Sequence, residues 1–236
     1  MLRVRAFRAP DDVAAGEKFA EGHRKVLEDI GVKVTSGRND WIHDPFVYVM
    51  VVEDTANENK VVGGARLHVA NREKELPMVE AIAQVDKSIY SEIDQLIDNG
   101  VAEVCGLWNS HEIAGLGIGS NILVRICIAI AKQANLSKLV ALVARHTLRK
   151  AIQKGFEVIT TVGNEGKFNY PKLDLVATAI VLNDIELLPL AIEYERIEIM
   201  RLREKHFFVC MEKWPKGEFE LEYQLQLSSV QEIGVV

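Results

Sequence analysis

Cysteine is scarce in this chain: three residues in 236, at positions 105, 127 and 210. An odd number at such wide spacing forms neither a disulfide framework nor a metal pattern. The three therefore read as reduced thiols of a cytoplasmic protein, with no metal expected. No stretch approaches the roughly 20 apolar residues that a helix needs to span a bilayer. The N-terminal MLRVRAFRAPDD is charged and lacks the apolar centre of a secretory signal. An excess of basic charge is also missing. Lys and Arg number 28 against 34 Asp and Glu, a net charge of −6. Neutralising the phosphates of a nucleic acid needs clustered cations, so that class of partner is not expected.

What is present is ordinary for a globular chain: 48% apolar and 26% charged residues, in a length that suits one large domain or one domain with an appendage. Residues 11–30 read as a helix, with Asp11 and Asp12 at its start, a broken apolar stripe through Phe19 and Val26, and Gly31 as its stop. The run FVYVMVVE (46–53) predicts a strand buried on both faces. Residues 60–70 predict its hairpin partner, with Gly63 and Gly64 marking a bulge or a close backbone approach. Residues 71–100 are polar and irregular apart from a short helix near 88–98. Strands follow at 101–107, 138–144, 156–162 and 174–182. Between them lie an apolar helix at 117–134, whose narrow polar stripe is Asn121, Arg125 and Lys132, and a short helix at 146–154 closed by Gly155.

Beyond Pro189 the pattern changes. Residues 190–205 alternate in charge at helical spacing and predict an exposed helix. EFELEYQLQL (218–227) alternates strictly, placing Phe219, Leu221, Tyr223, Leu225 and Leu227 on one face of a half-buried strand. That face needs a sheet edge, its own or that of a second copy, so a homodimer is one expectation. The whole order predicts an α/β (α+β) fold: a mixed, mostly antiparallel sheet with helices on both faces. Residues 1–185 form the main domain and 186–236 a helix–strand extension.

The strongest local signal is EVCGLWNSHEIAGLGIGSNIL (103–123), where a strand enters a glycine-rich turn that opens a helix. Glycines let a backbone approach a ligand closely, and the first N–H groups of a helix favour an anion such as a pyrophosphate. Tight strand–helix packing needs the same glycines, so the pattern by itself leaves both readings open. The segment resembles the acyl-CoA motif of the GCN5-related N-acetyltransferase (GNAT) superfamily, Arg/Gln-x-x-Gly-x-Gly/Ala, here Ala114-Gly115-Leu116-Gly117-Ile118-Gly119. AIQKGFEVI (151–159) resembles the helix–Gly–Phe–strand segment that follows in that family. With the hairpin before it, the resemblance covers most of 1–182. GGARL (63–67), LPM (76–78), VAEV (101–104) and NYP (169–171) resemble parts of acyl-homoserine lactone synthases and N-acyl amino acid synthases, GNAT-like enzymes that take acyl chains from acyl carrier protein.

The resemblance implies a fold and a set of roles. It implies N-acyl transfer from a donor thioester, acetyl-CoA or a longer acyl-CoA, to a small-molecule amine. The donor lies on the backbone of Leu107, Trp108 and Asn109 and on the turn Gly115, Leu116, Gly117, Ile118, Gly119 and Ser120. Glu103, on the strand leading there, is the candidate base for the amine, and Tyr170 the candidate acid for the thiolate. Ala114 stands where the family has Arg or Gln, and the family's tyrosine before Gly-Phe is absent. The lactone synthases carry Arg where this chain has Gly106. Cys105 shares the face of Glu103 and reads as a buried inert thiol; His111 reads as a solvated loop residue. Arg66 and His68 alternate along one strand and are candidates to hold an acceptor carboxylate or a donor phosphate. Arg145, His146, Arg149, Lys150 and Lys154 form the one basic cluster, a candidate dock for a nucleotide phosphate or for an acidic carrier protein. Two further readings stay open: a signal synthase fed by acyl carrier protein, and a GNAT-like module that binds without catalysis.

Overall fold

A computed structural model describes residues 1–29, 31, 39–170 and 175–228, without the side chains of Tyr170 and Leu175. The chain opens with β1 (Leu2–Arg8) and α1 (Val13–Asp29), then forms the hairpin β2 (Val47–Asp54) and β3 (Lys60–Val69). Two short helices follow, α2 (Pro77–Ile82) and α3 (Ser88–Ile97). Next come β4 (Val101–Asn109), a π-helical turn at Ile118–Leu123 running into α4 (Val124–Gln133), β5 (Lys138–Ala144) and α5 (Arg145–Gln153). The chain continues through β6 (Glu157–Val158), β7 (Lys167–Tyr170), β8 (Leu175–Leu182), α6 (Glu193–Glu204), β9 (Phe207–Trp214) and β10 (Gly217–Gln224). The described strands make one sheet in the order β6-β8-β5-β4-β3-β2-β1-β10-β9, with β7 also on β8. Only β1–β10 and β4–β5 are parallel pairs. Among the described residues no helix is long and apolar enough to cross a membrane.

Both faces of the sheet are buried at its centre, which explains the unbroken apolar run of β2. Tyr48, Met50 and Val52 pack with Ile122, Ile126 and Ile130 of the α4 side, while Val47, Val49 and Val51 pack with Phe19 of α1. The start of α1 is held by Asp12, whose carboxylate accepts the Ala15 N–H at 3.0 Å. Gly63 and Gly64 do mark a close approach: a Cβ on Gly64 would meet the Phe19 ring at 2.7 Å.

The structure departs from the sequence reading in several places. β1 was not foreseen because its outward positions are arginines. Those side chains are satisfied by ion pairs from distant strands, Arg3 with Glu222 at 2.8 Å and Arg5 with Glu53 at 2.7 Å. The expected strand at 156–162 shrinks to two residues. The helix α2 and the strands β7 and β9 were missed. The helix α6 is not simply exposed: Glu195, Ile199 and Leu202 are buried on its inner face.

The alternating segment is a strand, β10, and the edge it needs lies in its own chain: β10 runs parallel to β1 and antiparallel to β9. Leu221, Tyr223, Leu225 and Leu227 are buried in the main core. Leu221→Ala is expected to remove about 2–5 kcal/mol of stability, measurable by urea denaturation. A variant as stable as the parent would show that this strand contributes little.

Candidate active site

The site begins where two central strands part. β4 stays on β3 as far as Asn109, but pairs with β5 only through Val101↔Lys138, Ala102↔Leu139 and Glu103↔Val140. Beyond that point β5 keeps only β8, which pairs along its other edge from Leu139 to Ala144. The cause is a bulge in β4. Between Gly64↔Trp108 and Arg66↔Cys105 the strand carries one extra residue, and Gly106 takes a positive φ of 57°. Ser110 donates its N–H to Val62 O at 2.7 Å. The neighbouring Gly63–Asn109 pair is therefore of the non-hydrogen-bonded kind, and the Asn109 amide points away from β3, toward the side β5 has left.

On the face shared with α1 and α2, Glu103, Cys105, Arg66 and His68 come together, since His68 pairs with Glu103 and Arg66 with Cys105. Glu103 is 3% exposed, and its Oε2 accepts the Met78 N–H at 2.8 Å. Burial pushes its carboxyl up to about 8, against the pull of the Met78 amide and of Arg66. Burial pushes the Cys105 thiol up to about 12, so this cysteine is inert. Arg66 stacks over the Trp41 ring at 4.3 Å and makes no ion pair among the described residues. Its Nε is buried without a partner, and so is Nε2 of His68. The guanidinium lies over Gly106, whose notional Cβ would meet Nε at 2.8 Å. An arginine from β3 thus reaches the spot where the resembling lactone synthases carry one on β4.

Arg66 and His68 line a cleft of about 460 Å³ with Phe19, His23, Trp41 and Lys74. Burial and the Arg66 charge push His23 down to about 4 and His68 down to about 3, so both imidazoles are neutral at pH 7. The cleft therefore presents an unpaired guanidinium and two neutral imidazoles within a rim of acidic side chains, Asp40, Asp44 and Glu80 among them. The Glu103 carboxyl lies buried beside Arg66 and His68 on the paired strand.

The glycine turn lies on the far side of the splay. Gly115 and Gly117 have φ of 86° and 72°, which only glycine adopts without strain. The turn leads into α4, whose residues from Ile126 to Ala131 are buried. The tip of the β9–β10 hairpin covers it. A Cβ on Gly115 would run into the Lys216 side chain, and one on Gly117 into the Trp214 indole. Lys216 Nζ donates to Ala114 O at 3.1 Å.

Comparisons with solved structures bear on this geometry. The chain aligns with FeeM, an N-acyl amino acid synthase from uncultured soil microbes, at a TM-score of 0.59 and 15% identity, covering 84% of this chain and 98% of that one. The chain has the GNAT fold. MesI, a CoA-dependent acyl-homoserine lactone synthase, aligns at 0.51 with 12% identity over 87% and 96% of the two chains. BjaI, a second CoA-dependent lactone synthase, solved with MTA, aligns at 0.50 with 16% identity over 85% and 90%. At such identities the likeness is one of fold. No protein-family model matches the sequence, and no curated protein matches it.

Within this GNAT fold the candidate residues separate. Glu103 sits where the strands part, and Asn109 offers its amide to the opening. Trp108 is committed to packing: its indole is 5% exposed and meets the Phe19 ring edge-on at 5.8 Å. Ile118 is wholly buried, so only its backbone faces the turn. Ser120 accepts a hydrogen bond from Lys150 Nζ at 2.7 Å. The side chain of Tyr170 and the residue Pro171 of the NYP motif lie outside the described residues. His111 is exposed, 3.8 Å from Asp29. The basic cluster does not survive intact: Arg145, His146 and Arg149 are exposed, but Lys154 is wholly buried against Glu195. Lys154 therefore cannot take part in docking a nucleotide or a carrier protein. Sequence reasoning missed Trp41, Trp214 and Lys216, none of which lies near a motif.

Proposed function

We propose that the protein is an N-acyltransferase that moves an acyl group from a pantetheine thioester to the amine of a small acceptor bearing a carboxylate. One observation supports this above the others: the half-buried Arg66, without an acidic partner among the described residues, stands beside Glu103 where β4 leaves β5. A buried guanidinium calls for an anion, and a planar carboxylate matches its fork.

In this reading Arg66 binds the acceptor carboxylate and sets its amine toward Glu103. The Glu103 carboxylate takes a proton from the amine, whose lone pair attacks the thioester carbonyl. The Asn109 amide donates to the developing oxyanion. The C–N bond forms, the C–S bond breaks, and the thiolate leaves to be protonated by solvent. Positioning of the two substrates supplies much of the acceleration.

The test is acyl transfer, followed as thiol release, from acyl-CoA and from acyl carrier protein to a panel of amino acids and their decarboxylated amines. Amino acids are the expected substrates. Arg66→Met is expected to raise the acceptor KM about ten- to a hundred-fold, the size of a charge-assisted hydrogen bond, with a much smaller change in kcat. Equal use of amines that lack the carboxylate, by parent and variant alike, would remove Arg66 from acceptor binding.

A further inference from the structure

The glycine turn, which the family resemblance assigns to the donor, is already in close contact with side chains from the C-terminal hairpin. Two glycines with positive φ leave open the space that a phosphate needs to approach their backbone. Here Trp214 occupies that space over Gly117, and the Lys216 stem occupies it over Gly115. The covering is built in. β9 and β10 pair up to Trp214↔Gly217 at the tip, and β10 is locked on β1. Lys213 and Glu218 add an ion pair at 3.0 Å across the hairpin. The indole stands 5.9 Å from the Arg125 guanidinium, which is itself clamped by Glu195 at 2.7 and 2.9 Å. Lys216 Nζ is engaged with Ala114 O, at the residue where the resembling family has its Arg or Gln.

We propose that Trp214 and Lys216 are donor-specificity residues: they obstruct the pyrophosphate of free CoA at the glycine turn and leave the slot between β4 and β5 to pantetheine thioesters that lack the nucleotide. The shape of the contact assigns the two residues the part of an obstacle and not of a phosphate ligand. An indole offers no charge to an anion, and Lys216 lays Cδ, Cε and Nζ together over Gly115 with its ammonium already engaged by Ala114 O. The slot is built by other elements: its walls are β4 beyond Glu103 and β5 beyond Val140. Half-buried Leu107, Leu142 and Val143 furnish those walls with apolar surface suited to a pantetheine arm. This inference rests on the donor reading of the glycine turn.

The test compares acyl-CoA with the matching acyl-pantetheine in the full chain and in Trp214→Ala, Lys216→Ala and the double variant. Binding of CoA is measured directly by calorimetry, and the melting temperature of each variant confirms that it folds. The double variant is expected to bind CoA at least ten-fold more tightly than the parent. Its preference for acyl-CoA over acyl-pantetheine should rise by a similar factor, with the pantetheine KM nearly unchanged. Trp214→Phe should keep most of the obstruction. Unchanged CoA affinity in the double variant would overturn the proposal. So would weaker CoA binding in Lys216→Ala, which would make Lys216 a phosphate ligand. If neither parent nor variant bound CoA at all, the donor assignment of the turn would fall, and this inference with it. Tighter CoA binding without any acyl transfer would instead keep the inference and sink the proposed reaction.

Discussion

Glu103→Gln is expected to lower kcat/KM by about a hundred-fold or more, the usual contribution of a positioned general base. The substitution keeps shape and the hydrogen bond from the Met78 amide, so the fold should persist. The pH profile separates a base from a structural carboxyl. Burial raises Glu103 to about 8, so the reactive carboxylate gains population as pH rises toward and through that value. The parent rate should climb over the same interval, and the variant should lack that limb. Stability should run the other way. Between the ordinary carboxyl range and about pH 8 the folded chain holds a proton that the unfolded chain has lost, so stability falls as pH rises. Glu103→Gln should abolish that slope. A variant with parental turnover from pH 6 to 9 would leave Glu103 as a packing residue with no part in proton transfer.

The second large effect concerns the polar stripe of α4. Arg125 and Asn121, read from sequence as a narrow polar face, are both buried. Arg125 binds both oxygens of Glu195 on α6, and Lys154 stands 3.4 Å from the same carboxylate and from Asn121 Oδ1. Burial alone would raise Glu195; its hydrogen bonds to Arg125 and the Lys154 charge hold it below its ordinary value. Burial pushes Lys154 down to about 8. Arg125→Met leaves a buried carboxylate with one weakened partner and is expected to cost about 3–5 kcal/mol. The triple change Arg125→Met, Glu195→Met, Lys154→Met should recover most of that loss, since packed apolar side chains then replace the whole buried ionic cluster with little penalty and no buried charge is left unpaired. Chemical denaturation of the two variants checks this. A single variant within about 0.5 kcal/mol of the parent would show that the pair contributes nothing to stability. Arg125→Met should also loosen the seat of Trp214, which lies against the Arg125 guanidinium.

The sequence by itself determined the elements whose environment is written locally. The unbroken apolar run of β2 requires burial on both faces, the alternation of β10 requires one buried face, and the glycine turn between β4 and α4 requires backbone that other residues cannot adopt. Glu103 was legible as a candidate because it is a carboxylate on the strand before that turn, and Arg66 and His68 because they alternate on one strand. Only the tertiary structure decided what these residues meet. The register of β3 on β4 brings Arg66 and His68 beside Glu103, and a single-residue bulge opens the strands there. β1 and β9 escaped notice because strand pairing, not local pattern, stabilises them: the arginines of β1 are satisfied by Glu53 and Glu222, nearly 50 and more than 200 residues away in the chain. The burial of Lys154 and the placing of Trp214 and Lys216 on the glycine turn are likewise contacts between segments far apart in sequence. A charge pattern or a turn motif records what a residue can do; which partner desolvates it, or fills the space beside it, is fixed only when the sheet closes.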